Sequence, residues 1–322
     1  LFLHNVATLA RYLLVFDHKP SGKVTSMRGL QVLVVGAFVS LSSSAALAAP
    51  VPLSFTNFES FTLGSVDGQG GWGVSNPAFD QSVVDDAGNR VWRVSNAVTS
   101  GSFGDQPFAP RPGGTGMTDV NPTNSLPQFF AGEASTGANW NQFFAEFQIK
   151  MTTANSVAGT RITLSPDNGN GARMGFLAIE DTGTGVRVDT FDTTNAGTFA
   201  SVPNIGSFGY DAWQTIRIEL FANDGPLNDV VNYYLNGALI HSGPSWEQFY
   251  TVTQPLLHPN GVPVQTLLFR ISAPTGGLAA ALGKGFFIDD VTTAVGVSEP
   301  ATLGLMGAGL MGLALLRRRR AA

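Results

Sequence analysis

Between Ala49 and Gly296 the chain sustains no helical apolar period longer than two turns. It breaks instead into short runs of β-branched, aromatic and aliphatic residues separated by Gly, Asn, Asp, Pro and Ser clusters. That punctuation caps each element at strand length, and strands with no helices between them pair antiparallel. Phe143 to Lys150 alternates, with Phe143, Ala145, Phe147 and Ile149 on one face and Glu146, Gln148 and Lys150 on the other. Trp213 to Leu220 sets Ile216, Ile218 and Leu220 opposite Arg217 and Glu219 in the same way. Val230 to Leu235 and Ala238 to His241 flank Asn236-Gly237, the dipeptide that best tolerates the positive φ angles of a tight hairpin.

Further strands are expected at Val91–Val94, Arg161–Leu164, Gly175–Glu180, Val186–Phe191, Val264–Ser272 and Phe286–Val291, with one helical turn at Trp246–Tyr250. The expected class is all-β, an antiparallel two-sheet jelly-roll sandwich over residues 49–296. The order of Trp213 to Ile218, the hairpin at Asn236-Gly237 and the closing Gly285 to Val291 resembles the concanavalin A-like or laminin-G-like jelly rolls. The Gly- and Pro-rich stretch Ser100 to Gln128 reads as a long loop, either a functional segment or a crossing held down by its phenylalanines.

Composition narrows the function classes. The 322 residues carry a net charge of -5 and no basic stripe outside the two ends, which argues against a nucleic-acid partner. With 38 Gly, 23 Phe and only 13% charged residues, the balance is that of a turn-rich β protein. There is no cysteine, so thiol catalysis, thiolate metal sites and disulfides are all excluded.

The two ends supply an address. The first methionine is Met27, and residues 1–26 are expected to be untranslated or unstructured. From Met27 the sequence reads as a signal peptide over 27–48: Arg28 is the basic n-region, Gly29 to Leu41 the apolar h-region, and Ala46-Leu47-Ala48 the small-residue site, with cleavage before Ala49. At the other end Val297, Ser298, Glu299 and Pro300 precede an uncharged apolar run, Ala301 to Leu316, and a basic cluster, Arg317, Arg318, Arg319 and Arg320. As a helix that run is about 24 Å long, short of a hydrocarbon core of about 30 Å but able to span with local thinning and arginine stems reaching back. The arginines hold their end on the cytoplasmic side and leave the folded part outside.

Residues 297–322 resemble the PEP-CTERM sorting signal, in which a Pro-Glu-Pro-like motif precedes a hydrophobic helix and an Arg-rich end. Glu299 and Pro300 match the Glu-Pro, and Ser298 stands where the first proline is usual. The resemblance implies a transient membrane anchor recognised and cleaved by an exosortase, a membrane processing enzyme, and a destination at the cell surface or beyond.

Chemistry is harder to find along the strands. Glycoside hydrolysis needs two carboxylates about 5 to 10 Å apart. The best strand offers only Glu146, while Glu180 and Asp181 are adjacent and point to opposite faces, so no catalytic residue is assigned and the domain is expected not to be an enzyme. Asp167 to Gly171 departs from a calcium loop at Gly169 and reads as a turn. Asp289 and Asp290 read as solvated carboxylates at a turn, with a calcium site as the alternative. His241 and His258 lack zinc spacing. No cofactor is expected, calcium being the one metal considered. Trp72, Trp92, Trp140, Trp213 and Trp246 are read mainly as packing residues, with sugar stacking as the alternative. The expected role is structural or adhesive, in the envelope or an exopolysaccharide matrix; the alternatives are a carbohydrate-binding module and a divergent glycoside hydrolase.

Overall fold

The alternation that marks the strands also decides which side chains meet between two sheets. The structure, a computed structural model, describes residues 50–75, 78–99, 106–112, 130–256, 258, 261–271 and 277–296. These belong to one unit, Ala46–Glu299. Strands are numbered along the chain. The first sheet contains β1 (Val51–Thr56), β3 (Gln81–Asp86), β4 (Asn89–Val94), β6 (Gln142–Met151), β11 (Gln214–Phe221), β12 (Val230–Leu235), β13 (Ala238–Pro244) and β15 (Phe286–Gly296). Its order is β13-β12-β11-β6-β15-β4-β3, and β1 also pairs with β15. The second contains β2 (Gly73–Val74), β5 (Pro107–Phe108), β7 (Arg161–Asp167), β8 (Leu177–Asp181), β9 (Val186–Thr193), β10 (Phe199–Phe208) and β14 (Thr266–Arg270), in the order β10-β9-β8-β7-β14-β5-β2. Every named pairing is antiparallel, giving an all-β jelly-roll sandwich.

The ten expected strands all form, Val230–Leu235 with the expected boundaries and the others with ends moved by up to five residues. Five more had no clear pattern. The edge strand β10 contains Pro203 and Gly206, which an edge tolerates because one row of its backbone groups faces outward. Its register shifts between Val202 and Gly206, where Asn204 has φ 56°. The Ser100 to Gln128 loop is corrected in part: Pro107–Phe108 is a strand, pairing Phe108 with Leu268 and Gly73, while residues 100–105 and 113–129 lie outside the described residues.

Asn236 and Gly237 take φ 51° and 80° in the β12–β13 hairpin, as their positions require. The Asn236 side chain also accepts from Thr215 N at 2.9 Å, which fastens the turn to β11. In β15 a register shift between Asp289 and Thr292, with Asp290 at φ 49°, lets one long strand serve two partners along one edge. Phe286–Ile288 pairs with β4 and Val291–Val295 with β1. The only α-helix among the described residues, α1 (Glu247–Thr253), is just under two turns long.

The inner faces meet in one core. Trp92 of β4 and Phe147 of β6 pack on Phe269 of the opposite sheet, with ring centroids 5.1 and 5.7 Å apart, and Trp72 lies 5.2 Å from Trp92. Trp72, Trp92 and Trp246 are therefore packing residues, whereas Trp140 and Trp213 are half-buried. Among the described residues no helix is long and apolar enough to cross a membrane. The signal peptide, the apolar run 301–316, the sorting residues Val297 to Pro300, Arg317 to Arg320, and Ala46, Ala48 and Ala49 all lie outside the described residues.

Candidate functional site

The two outer faces of the sandwich differ in access. On the second sheet the central outward residues Thr163, Ser165, Ala178 and Leu268 are buried, while Arg161, Glu180 and Arg187 on the same face are half-exposed and paired. On the first sheet Glu146 is exposed, and Gln148, Thr215, Arg217 and Tyr234 are half-exposed. At its centre this face is the more accessible of the two.

Register brings its polar residues together. One row across β12, β11, β6 and β15 reads Tyr234, Arg217, Glu146, Thr292, and the next reads Asn232, Glu219, Phe144, Ala294. Glu146 and Glu219 are thus diagonal neighbours on adjacent strands, on one face of the sheet, with Cα atoms about 7–8 Å apart. The expectation that no paired acid exists is corrected: the pair runs across strands, where a search along one strand does not find it.

The two carboxylates are held differently. Glu219 Oε1 lies 3.2 Å from Arg217 Nε, at an angle off hydrogen-bond geometry, and Oε2 accepts from Tyr234 Oη at 2.9 Å. The Arg217 guanidinium also stacks 4.1 Å from the Tyr234 ring centroid. Burial and the Glu219 carboxylate together push the Tyr234 hydroxyl up. Glu146 has no hydrogen bond or ion pair among the described residues. Beyond them Gln148 Nε2 donates to Thr215 Oγ1 at 3.0 Å, and Lys150 Nζ sits 2.5 Å from Asp86 Oδ2 and 4.7 Å from the Trp213 ring centroid.

A second acidic group was not visible in the sequence at all. Glu133, Asp229 and Glu247 are all buried, and one carboxylate oxygen from each lies within 4.8 Å of those of the others. Glu133 precedes a 3-10 turn at Ala134–Thr136, Asp229 ends the β11–β12 connection, and Glu247 begins α1. Backbone amides hold them: Asn223 N donates to Asp229 Oδ1 at 2.7 Å, Leu227 N to Glu247 Oε2 at 3.0 Å, and Gly225 N to Glu133 Oε2 at 3.3 Å. Among the described residues none of the three is in an ion pair. Burial first, then the neighbouring acids Glu247 and Glu133, push the Asp229 carboxyl up to about 8. Burial likewise raises Glu133 and Glu247.

The other candidates have structural duties. Asp167 Oδ1 accepts from Gly169 N and Gly171 N at 2.7 and 3.0 Å, so this stretch is a turn closed on its own aspartate. Glu180 faces Arg161 and Arg187, while Asp181 turns the other way to Ser156 and Tyr210. Asp289 and Asp290 sit within β15 at its irregularity and not at a turn between strands; Asp289, expected to be solvated, is buried and accepts from Asn89 Nδ2 at 2.9 Å, while Asp290 is exposed as expected. His241 bonds Asp192 at 3.0 Å, and His258 packs edge-on to Tyr250.

Residues 296–320 match the family model described as the PEP-CTERM protein-sorting motif. No curated protein sequence matches the chain. Solved structures similar to it include the alginate lyase Aly36B, 12% identical over 79% of this chain and 100% of that one, with a TM-score of 0.45. An endo-1,3-beta-glucanase from Streptomyces sioyaensis is 14% identical over 80% and 100%, with a TM-score of 0.43. An endo-beta-1,4-glucuronan lyase from the fungus Trichoderma reesei is 13% identical over 76% and 95%, with a TM-score of 0.35. These are likenesses of fold and identify no residue. The expectation that the domain is not an enzyme is withdrawn, since the three similar structures named here are enzymes. The chain carries a PEP-CTERM sorting motif behind a jelly-roll sandwich.

Proposed function

We propose that the chain is exported, held briefly in the membrane by its tail, processed by an exosortase-like enzyme and delivered to the cell surface, where the sandwich engages a polysaccharide through the outer face of its first sheet. The observation that carries the sorting half is the motif match over residues 296–320. Glu299 and Pro300 are the residues read by the processing enzyme, Ala301 to Leu316 is the anchor, and Arg317 to Arg320 orient it. Proline at position 300 disfavours helix at Glu299 and leaves an extended segment at the membrane face. In an immunoblot of membrane and released fractions, Glu299→Ala should leave the longer membrane-bound form in place of the released one. Fractions equal to wild type would make the tail a permanent anchor.

The accessible face favours an uncharged polysaccharide. Its acids, Glu146, Glu219, Asp86 and Asp289, outnumber Arg217, Lys150 and Arg93, and all three cations already face carboxylates. Half-exposed Trp213 and Tyr234 offer aromatic surface beside them. Co-sedimentation of the full chain with insoluble neutral β-glucan and with calcium alginate gel separates the charge classes. Retention on the glucan, lost in Tyr234→Ala, is the expected result; preference for alginate would overturn the charge argument.

A second reading, glycosidic bond cleavage, is favoured by the diagonal Glu146–Glu219 pair. Glu146 is the freer of the two and the better placed to exchange a proton, whereas Glu219 is fixed by Arg217 and Tyr234. Reducing-end release from soluble β-glucan, abolished in both Glu146→Gln and Glu219→Gln, would establish it; release unchanged in either variant would remove this pair from consideration.

A further inference from the structure

We propose that Glu133, Asp229 and Glu247 form a calcium site that ties the β11–β12 connection to the start of α1. Three carboxylates converge from separate stretches of chain into a buried position with no ion-paired cation among the described residues. A single buried charge without a partner is already costly, and three together repel. Glu133 supplies an independent sign of a ligand. It is 5% exposed, its Oε2 accepts from Ser135 Oγ and Gly225 N, and its Oε1 is buried with no hydrogen-bond partner. A buried carboxylate oxygen left over in this way is an acceptor waiting for a positive centre.

The donor chemistry selects the ion. All three ligands are hard carboxylate oxygens, with no imidazole and, in this chain, no thiolate, which disfavours zinc and copper. Oxygens within 4.8 Å of one another fit opposite sides of an ion whose bonds are about 2.3–2.6 Å long, as calcium's are. Magnesium needs bonds of about 2.0–2.1 Å and retains several waters, which a group this buried accommodates poorly. A cleft of about 50 Å³ lined in part by Thr193, Asn195, Leu227, Asp229, Glu247 and Gln248 has two of the three acidic residues in its wall.

The backbone is shaped to the same end. In the connection Ala222 to Asp229, Gly225 and Leu227 take φ 104° and 64°, and their amides donate to Glu133 and Glu247. Asp224 Oδ1 accepts from Ala134 N at 2.8 Å, joining the connection to the segment that carries Glu133. An ion here would fix a loop at the end of the sandwich without touching the Glu146–Glu219 face, so its test is independent of any polysaccharide activity.

The test is calorimetric titration of calcium chloride into the full-length chain, stripped with EDTA and held in detergent, with thermal melts alongside. One calcium per chain, a melting temperature that rises with calcium concentration, and binding of magnesium at least about tenfold weaker are expected. Glu133→Gln keeps the side-chain shape and an acceptor for Ser135, so it should melt cooperatively without calcium yet bind calcium at least about tenfold more weakly. Asp229→Asn, which keeps the acceptor for Asn223 N, is the second variant should the first fail to fold. No heat of binding at about 10 mM calcium, weaker than extracellular calcium modules, or equal affinity in the folded variants, would overturn the assignment.

Discussion

The two acidic groups of this sandwich solve the same electrostatic problem in opposite ways. On the outer face of the first sheet Glu219 has an arginine and a tyrosine hydroxyl of its own, and Glu146 beside it stays in water. At the end of the sandwich Glu133, Asp229 and Glu247 are buried and receive hydrogen bonds from backbone amides and the Ser135 hydroxyl, but pair with no cation among the described residues. The first arrangement is complete without a ligand and leaves one carboxylate available for chemistry. The second is complete only with a proton or a metal ion.

The sharpest break of that contrast is withdrawal of calcium. An ion present at about a hundred times its dissociation constant stabilises by about 2.7 kcal/mol. In a domain of this size that is about 5–10 °C in melting temperature. EDTA should lower the wild-type melt by that much and leave Asp229→Asn unmoved, as followed by circular dichroism.

Lowering the pH should then restore part of the loss. Asp229 keeps its proton to about pH 8 in the folded chain but loses it near 3.8 when unfolded, so its contribution is full below about pH 4 and falls as pH rises toward 8. Asp167, pushed up to about 7 mainly by burial, works in the same direction. The metal-free protein should therefore melt at higher temperature near pH 5 than near pH 8, and Asp229→Asn should flatten the slope without abolishing it. A metal-free slope of the opposite sign would break the comparison at its buried end.

On the sheet face, Glu219→Ala leaves Arg217 without its ion partner and the Tyr234 hydroxyl without its acceptor, and should cost about 1–3 kcal/mol, measured as a lower urea midpoint. Glu219→Gln, which can still accept from Tyr234, should cost less. Glu146→Ala is the smallest expected change: stability should stay within about 0.5 kcal/mol of wild type, so any loss of polysaccharide retention or cleavage reports on function alone. A Glu146→Ala destabilisation equal to that of Glu219→Ala would mean the two carboxylates are not held differently after all.

Much of the sandwich was legible along the chain. β6 and β11 announce their faces by strict alternation, and Phe143, Ala145, Phe147 and Ile149 are all fully buried. Asn236-Gly237 announces its hairpin because few residue pairs accept two consecutive positive φ angles. β10 did not announce itself, since an edge strand interrupted by Pro203 and Gly206 has neither a buried face nor a clean period. The sorting tail is legible for a different reason: its signal is contiguous, a motif, an apolar run and a basic cluster within 25 residues or so.

The chain by itself determined the all-β class, the faces of its regular strands and the address carried at its C-terminus, because each of these is encoded between residues near in sequence. Only the tertiary structure decided where the acids meet. Glu146 and Glu219 are 73 residues apart and become neighbours through the β6–β11 register, in which Arg217 stands opposite Glu146. Glu133, Asp229 and Glu247 come from three connections that share no period, and they converge because those connections close the same end of one sandwich. Periodicity reports which face a residue takes; cross-strand register and loop closure decide its company, and both are settled by the packing of the whole core.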